Sequence, residues 1–281
     1  MESEVSAGKR WIVLQNHRIG MTLGATLMAL GLLILGGVFT AVTVASNGPG
    51  YVALGDSVEF GLGDDIMSDG LGYVDPFGEF LSSIMAMPVT VSNLGESGAS
   101  TRHIWLRQRR SALAAIQLHR PSGIVVSWGG GGNDLAEVAL SPQAAVCMHT
   151  PSCLGRFNGL LNEVEHTIDR TISRVRRTGG PDARILMRTQ YNALARSGCA
   201  APDAVLLGNA TLEGVPGTVL ERGLNDRIRT VADRYGAQVV DLFFPFVLNA
   251  NVLVSVDCVH PSGAGYKAIL TFFQAAFLAG P

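Results

Sequence analysis

A serine hydroxyl is a weak nucleophile until a base takes its proton; the base needs a partner to orient it, and the developing oxyanion needs fixed donors. Side chains able to fill each role occur in this chain. Ser57 closes "YVALGDS", where an apolar run ends in a glycine, an aspartate and a serine. Far downstream, "VDCVHPSG" places Asp257 three residues before His260. That spacing can bring both side chains to one side of a tight turn, with the acid on one ring nitrogen and the other nitrogen facing a serine. Gly95 in "NLGESGAST" and Asn133 in "GGND" are candidate donors, since a glycine N–H can be approached closely and an asparagine amide donates from its side chain. Each residue also has a plain structural use. Asp56 and Ser57 suit a turn or helix N-cap, Gly95 a turn, Asn133 and Asp134 an Asx turn, and His260 a hydrogen-bonded surface.

These residues matter only if the fold brings them together. Short β-branched runs alternate with longer segments of helical period, the pattern of parallel strands joined by crossover helices. The predicted strands are "YVAL" (51–54), "VTVS" (89–92), "GIVVSW" (123–128), "RILMRT" (184–189) and "AQVVDL" (237–242). Helices are predicted over 77–86, 101–119, 156–177, 220–236 and 264–279; in the third, Phe157, Leu160, Leu161, Val164, Ile168, Ile172 and Val175 form one apolar stripe. Five β/α units in a single three-layer α/β/α domain follow. Ligands of such sheets bind beyond the carboxyl ends of the strands. There the chain places "GDS", "NLGESG", "GGGGND" and "QYN", after the first four strands in turn.

"GDS" at 55–57, Gly95 within its loop, "GGND" at 131–134 and "DCVHP" at 257–261, in that order, resemble the sequence blocks of the SGNH, or GDSL, hydrolase family. The resemblance implies a flavodoxin-like α/β/α sandwich and a cofactor-free serine hydrolase acting on carboxylic esters: an esterase, lipase, thioesterase or carbohydrate deacetylase. It implies that Ser57 is the nucleophile, His260 the general base and later acid, and Asp257 its orienter. The oxyanion hole would comprise the N–H groups of Ser57 and Gly95 and the Asn133 amide, with Asp56 and Asp134 as structural supports. An acyltransferase using the same triad, or a non-catalytic envelope-binding domain that kept the fold, would present the same residues. Two departures stand out. Val58 replaces the leucine of the family's four-letter name, and "SWGGGGND" has two glycines more than the block needs, so that loop is expected to be mobile or to leave room for a ligand. The other serine-hydrolase signature, GxSxG, is absent because Glu59 stands where its second glycine would be.

The 281-residue chain has 47% hydrophobic and 16% charged residues and a formal charge of −2, so no basic field points to nucleic acid. From 19 to 45 it is apolar and uncharged, enough to cross a bilayer, which takes roughly 20 residues. A cleavable signal has an apolar region of only about 7 to 15. An uncleaved anchor is therefore expected at 19–45, with signal cleavage and secretion as the alternative. Lys9, Arg10 and Arg18 precede it, which puts segment 1–18 in the cytoplasm and, beyond a linker at 46–50, the domain at 51–281 outside. Disulfides persist there. Cys147 with Cys153, bracketing a short loop, and Cys199 with Cys258 are the expected pairs. No CxxC or HExxH occurs, so no metal is expected, and "GAGYKA" at 263–268 follows a histidine rather than a strand, which argues against a dinucleotide loop. Arg102, Arg107, Arg109 and Arg110 read as a solvated helix face, and Trp105 and Trp128 as core. Specificity is expected in the loops 58–75, 134–156 and 190–218, for a small-molecule, lipid or glycan ester.

Overall fold

The computed structural model describes residues 48–63, 72–139, 147 and 150–280; the segments expected at 1–18 and 19–45, and linker residues 46 and 47, lie outside them. Among the described residues no helix is long and apolar enough to cross a membrane. Five strands form: β1 (Gly50–Leu54), β2 (Thr90–Asn93), β3 (Ile124–Trp128), β4 (Arg184–Arg188) and β5 (Gln238–Val240). They pair in the order β2-β1-β3-β4-β5, and every pairing is parallel. β1 and β3 are buried throughout, as befits β-branched runs covered on both faces. β5 is shorter than the run "AQVVDL" because Asp241 leaves the ladder: its Oδ1 accepts from Thr189 Oγ1 and from Phe243 N.

The helices are α1 (Ser57–Phe60), α2 (Val74–Met85), α3 (Thr101–His103), which runs through a π-helical turn (Ile104–Gln108) into α4 (Arg109–His119), α5 (Gly132–Ala139), α6 (Pro151–Gly179), α7 (Pro202–Glu213), α8 (Leu224–Arg234), α9 (Phe243–Leu248), α10 (Ala250–Leu253) and α11 (Gly263–Leu278). Alternate strand residues send side chains to opposite faces. Val52, Leu54, Val126 and Trp128 join Ile116, Phe157, Ile168 and Ile228 from α4, α6 and α8. Tyr51, Ala53 and Val125 join Phe77, Phe246 and Phe273 from α2, α9 and α11. The sheet is thus the middle of three layers.

Besides β5, several elements differ from the sequence expectation, among them the unexpected α9 and α10 and three with a clear local reason. The helix at 101–119 contains a π turn, which rotates Gln108 inward to a buried position. α6 begins at Pro151, five residues early, because proline suits the first helical turn and Cys153 and Leu154 extend its buried stripe. Within the loop expected at 190–218 a whole helix, α7, appears; its weak amphipathic pattern hides it, and packing of Leu207 and Leu212 into the core holds it.

From β1 the chain runs out to β2 on one side and then crosses back to β3 on the other side of β1. This places a crevice between the carboxyl ends of β1 and β3. Phe273 anchors the layer beneath it, stacked on Tyr73 at 4.5 Å and tilted against Phe77 at 5.5 Å. Phe273→Ala should cost about 3–5 kcal/mol, seen as a lower urea midpoint at unchanged slope; a loss below about 1 kcal/mol would contradict this packing.

Candidate functional site

Ser57 opens a helix of four residues, far too short to form unaided. Its support comes from its neighbours. The Asp56 carboxylate accepts from Val58 N at 3.0 Å, and Glu59 Oε2 accepts from Asp56 N at 3.0 Å, a reciprocal capping box around the serine. Gln108, turned inward by the π segment, bonds both peptide groups of Gly55, accepting from its N–H at 2.9 Å and donating to its carbonyl at 2.7 Å. Asn93, at the end of β2, donates to the Glu59 carbonyl at 2.7 Å.

Below the serine, Arg188 at the end of β4 donates through Nε to Glu59 Oε1 at 2.6 Å and through Nη2 to Glu59 Oε2 at 2.9 Å and Asp56 Oδ1 at 2.8 Å. Tyr73 Oη donates to Glu59 Oε1 at 3.0 Å. Arg188 and Glu59 are wholly buried. Burial alone would lower the Arg188 pKa, but Glu59 and Asp56 raise it well above its ordinary value. Burial also pushes the Glu59 carboxyl upward against the pull of Arg188. Nε and Nη2 both engage the one carboxylate, the geometry of a charged pair.

At the opposite wall, Asp257 and His260 form one compact turn. Asp257 Oδ1 accepts from the backbone N–H groups of Val259 and His260, both at 2.9 Å, and Oδ2 meets His260 Nδ1 at 2.5 Å. Nε2 is the ring nitrogen left for other chemistry. Burial opposes ionisation of Asp257, but hydrogen bonds from the His260 backbone and ring and from Val259 outweigh it and hold the carboxyl below its ordinary value. Tyr191 Oη donates to the Val259 carbonyl at 2.7 Å, and Ser255 N bonds the His260 carbonyl at 2.8 Å. Cys258 has φ 62, the left-handed region unusual for a side chain, and is bridged to Cys199; Cys147 is bridged to Cys153.

A cavity of about 160 Å³ joins these walls. Ser57, Asn133, Cys258 and Val259 line it, with Leu135 and Leu212 among its apolar residues. Asn133 Nδ2 donates to the Ala99 carbonyl at 3.1 Å. Asp134 accepts from Thr101 N and Oγ1, both at 2.8 Å, tying α5 to the start of α3; burial raises its pKa against those bonds.

Two expectations need correction. The Gly95 N–H, expected to face an oxyanion, instead donates to Asn93 Oδ1 at 3.0 Å, and Gly95 lies against α1, where an added Cβ would come within 2.4 Å of Phe60 N. In the same loop Gly98, at φ 76, is exposed, and its N–H has no hydrogen-bond partner among the described residues. Nor does the glycine run leave room for a ligand at 129–131. An added Cβ would lie 2.3 Å from both Arg188 Nε and Glu59 Oε1 at Gly129, 2.8 Å from Ile104 Cδ1 at Gly130, and 2.9 Å from Leu224 Cδ2 at Gly131. Those glycines are packing sites. Trp128 is core, as expected, but Trp105 is half-buried under the guanidinium groups of Arg109 and Arg170, at 3.9 and 4.3 Å from its ring centre.

The sequence reading missed Glu59, Gln108 and Arg188. A second arginine at the carboxyl end of the strand "RILMR", after three apolar residues, was the available signal, since a buried arginine demands an anion.

The sequence model of the GDSL-like Lipase/Acylhydrolase family matches residues 53–268, from β1 into α11. The chain belongs to that family. Solved structures with the same fold include the lipase Lip_vut3 from a goat rumen metagenome, 19% identical at TM-score 0.62, over 81% of this chain and 97% of that one. The extracellular lipase of Streptomyces rimosus is 20% identical at TM-score 0.56, over 82% and 100%. Phospholipase A1 of Streptomyces albidoflavus NA297 is 20% identical at TM-score 0.54, over 82% and 99%. No curated protein sequence matches the chain. Within this GDSL-like domain, Val58, the departure from the family's four-letter name, is buried and lines the cavity beside Ser57.

Gly95→Ala should destabilise the domain by about 1–3 kcal/mol through backbone collision. Gly98→Ala, whose Cβ would meet nothing within 4 Å, should cost only the left-handed backbone term, about 1–2 kcal/mol. Urea titrations measure both, and a larger loss for Gly98→Ala would reverse the assignment of the packing role. The lowered pKa of Asp257 fixes a sign for pH. Its carboxylate adds stability above the ordinary value of about 3.9, and that contribution is lost as pH falls through the folded value. Thermal midpoints of wild type and Asp257→Asn should differ near neutrality and converge in acid; a gap that widens in acid would contradict it.

Proposed function

We propose that this protein is an extracytoplasmic serine hydrolase that cleaves carboxylic esters through Ser57, His260 and Asp257. The observation that carries the reading is the Asp257–His260 pair, at 2.5 Å, on a turn whose intervening residues, Cys258 and Val259, share a cavity with Ser57 and Asn133. With Nδ1 held by Asp257, His260 Nε2 takes the proton as Ser57 Oγ attacks the carbonyl carbon, and the imidazolium returns it to the departing alcohol. Water then repeats the sequence on the acyl-enzyme. Asp257, kept ionised by its hydrogen bonds, holds the tautomer and stabilises the imidazolium.

The oxyanion is met by the Ser57 N–H and by the second amide hydrogen of Asn133, the first being spent on Ala99. From the loop after β2, the donor is assigned to Gly98 rather than Gly95, because Gly95 is committed to Asn93. The apolar side of the cavity, with Leu135, Leu212 and Val259, suits the acyl group of the ester. For location, residues 19–45 act as an uncleaved anchor with the N-terminus cytoplasmic. Two disulfides support an oxidising compartment for the domain.

A fluorophosphonate probe should label the full-length wild-type chain and leave Ser57→Ala unlabelled. Asp257→Asn should label far more slowly than wild type and lose about 10²- to 10⁴-fold in kcat on p-nitrophenyl esters. Labelling of Ser57→Ala, or none of wild type, would refute the nucleophile.

A further inference from the structure

Arg188 and Glu59 have no place in the reaction just derived, yet both are wholly buried beneath its nucleophile. We propose that Arg188 is a positioning residue, which sets the orientation of Ser57 by clamping the two carboxylates that flank it, Asp56 and Glu59. The inference rests on Ser57 as the nucleophile.

The clamp is selective in what it grips. One guanidinium reaches the residue immediately before the serine and the residue two after it, engaging Glu59 through Nε and Nη2 and Asp56 through Nη2. Those same carboxylates hold the backbone on either side of Ser57, Glu59 through Asp56 N and Asp56 through Val58 N. Orientation therefore passes from β4, a central strand, through two carboxylates to the peptide groups that fix the serine. The chain also leaves out side chains to admit the pair. A Cβ on Gly55 would lie 2.0 Å from Glu59 Oε2, and one on Gly129 would lie 2.3 Å from Arg188 Nε.

Stability alone is a poor reason to keep such a cluster. Stripping water from a guanidinium and two carboxylates offsets most of their attraction, and apolar side chains of similar volume commonly hold a core as well. What apolar groups lack is direction. A planar fork fixes a carboxylate in angle as well as distance, and a nucleophile has to be held to roughly 0.5 Å and 10–20°. Glu59 and Arg188 are absent from the cavity wall that Ser57 lines, so they act on the reaction through the serine and not by touching substrate.

The test separates holding the fold from aiming the serine. The full-length chain is compared as wild type, Arg188→Lys and the double variant Glu59→Met/Arg188→Met, by thermal midpoint, fluorophosphonate labelling rate, and kcat and KM on a short-chain p-nitrophenyl ester. Arg188→Lys keeps the charge and loses the fork. It should lose about 10-fold or more in kcat and in labelling rate, with KM within about threefold of wild type. The double variant should still fold, at a lower midpoint because Asp56 is left without its guanidinium, and lose about 100-fold in kcat. Wild-type kcat in a folded Arg188→Lys, or in a folded double variant, would overturn the positioning role while leaving the nucleophile intact. A wild-type chain that neither takes the label nor cleaves the ester would overturn the nucleophile, and this inference with it.

Discussion

A guanidinium removed entirely from water must be met by anions, and meeting that demand at Arg188 organises the whole carboxyl edge of the sheet. Its partners Asp56 and Glu59 sit at the end of β1, so the ion pair ties β4 to β1 across β3. β3 must then pass without side chains where the pair lies, which is why Gly129 follows Trp128. The loop after β2 is drawn in as well, with Gly95 packed on the backbone of Glu59 and Phe60, and Asn93 bonded to the Glu59 carbonyl. Four strand ends therefore converge on one buried contact, and the serine stands above it.

A second brace works from the tripeptide after β4. Gln190 donates to the Gly130 carbonyl at 2.6 Å, Tyr191 to the Val259 carbonyl at 2.7 Å, and Asn192 to the Val205 carbonyl at 2.9 Å. One short segment thus holds the loop after β3, the Asp257–His260 turn and helix α7, three walls of the same cavity. The Cys199–Cys258 bridge adds a covalent tie between the chain following that tripeptide and the same turn. Rigid placement of this kind suits groups whose reaction depends on sub-ångström alignment.

Much of this was legible in the sequence. β1, β3 and β4 were readable because runs buried on both faces are continuous in apolar character, β2 and β5 by their β-branched residues, and α6 because its stripe recurs every three or four residues. Pairing of Asp257 with His260 was readable too, because a spacing of three within one turn is local. Helix α7 escaped because its apolar residues do not segregate to one face, and the π turn because no local pattern distinguishes it from the helix on either side.

By itself the sequence determined the order of the elements, the apolar faces, the family blocks and the compact acid–histidine turn. All of these depend on residues close together in the chain. Only the tertiary structure decided that Arg188 meets Glu59, that Gln108 holds Gly55, that Gly95 is a packing glycine whose N–H is already spent, and that Gly129 makes room for a buried charge and Gly130 for Ile104. The physical reason is separation along the chain. Arg188 and Glu59 are 129 positions apart, and which distant groups satisfy a buried charge or hydrogen-bond donor is settled by strand order and close packing, which no local spacing encodes.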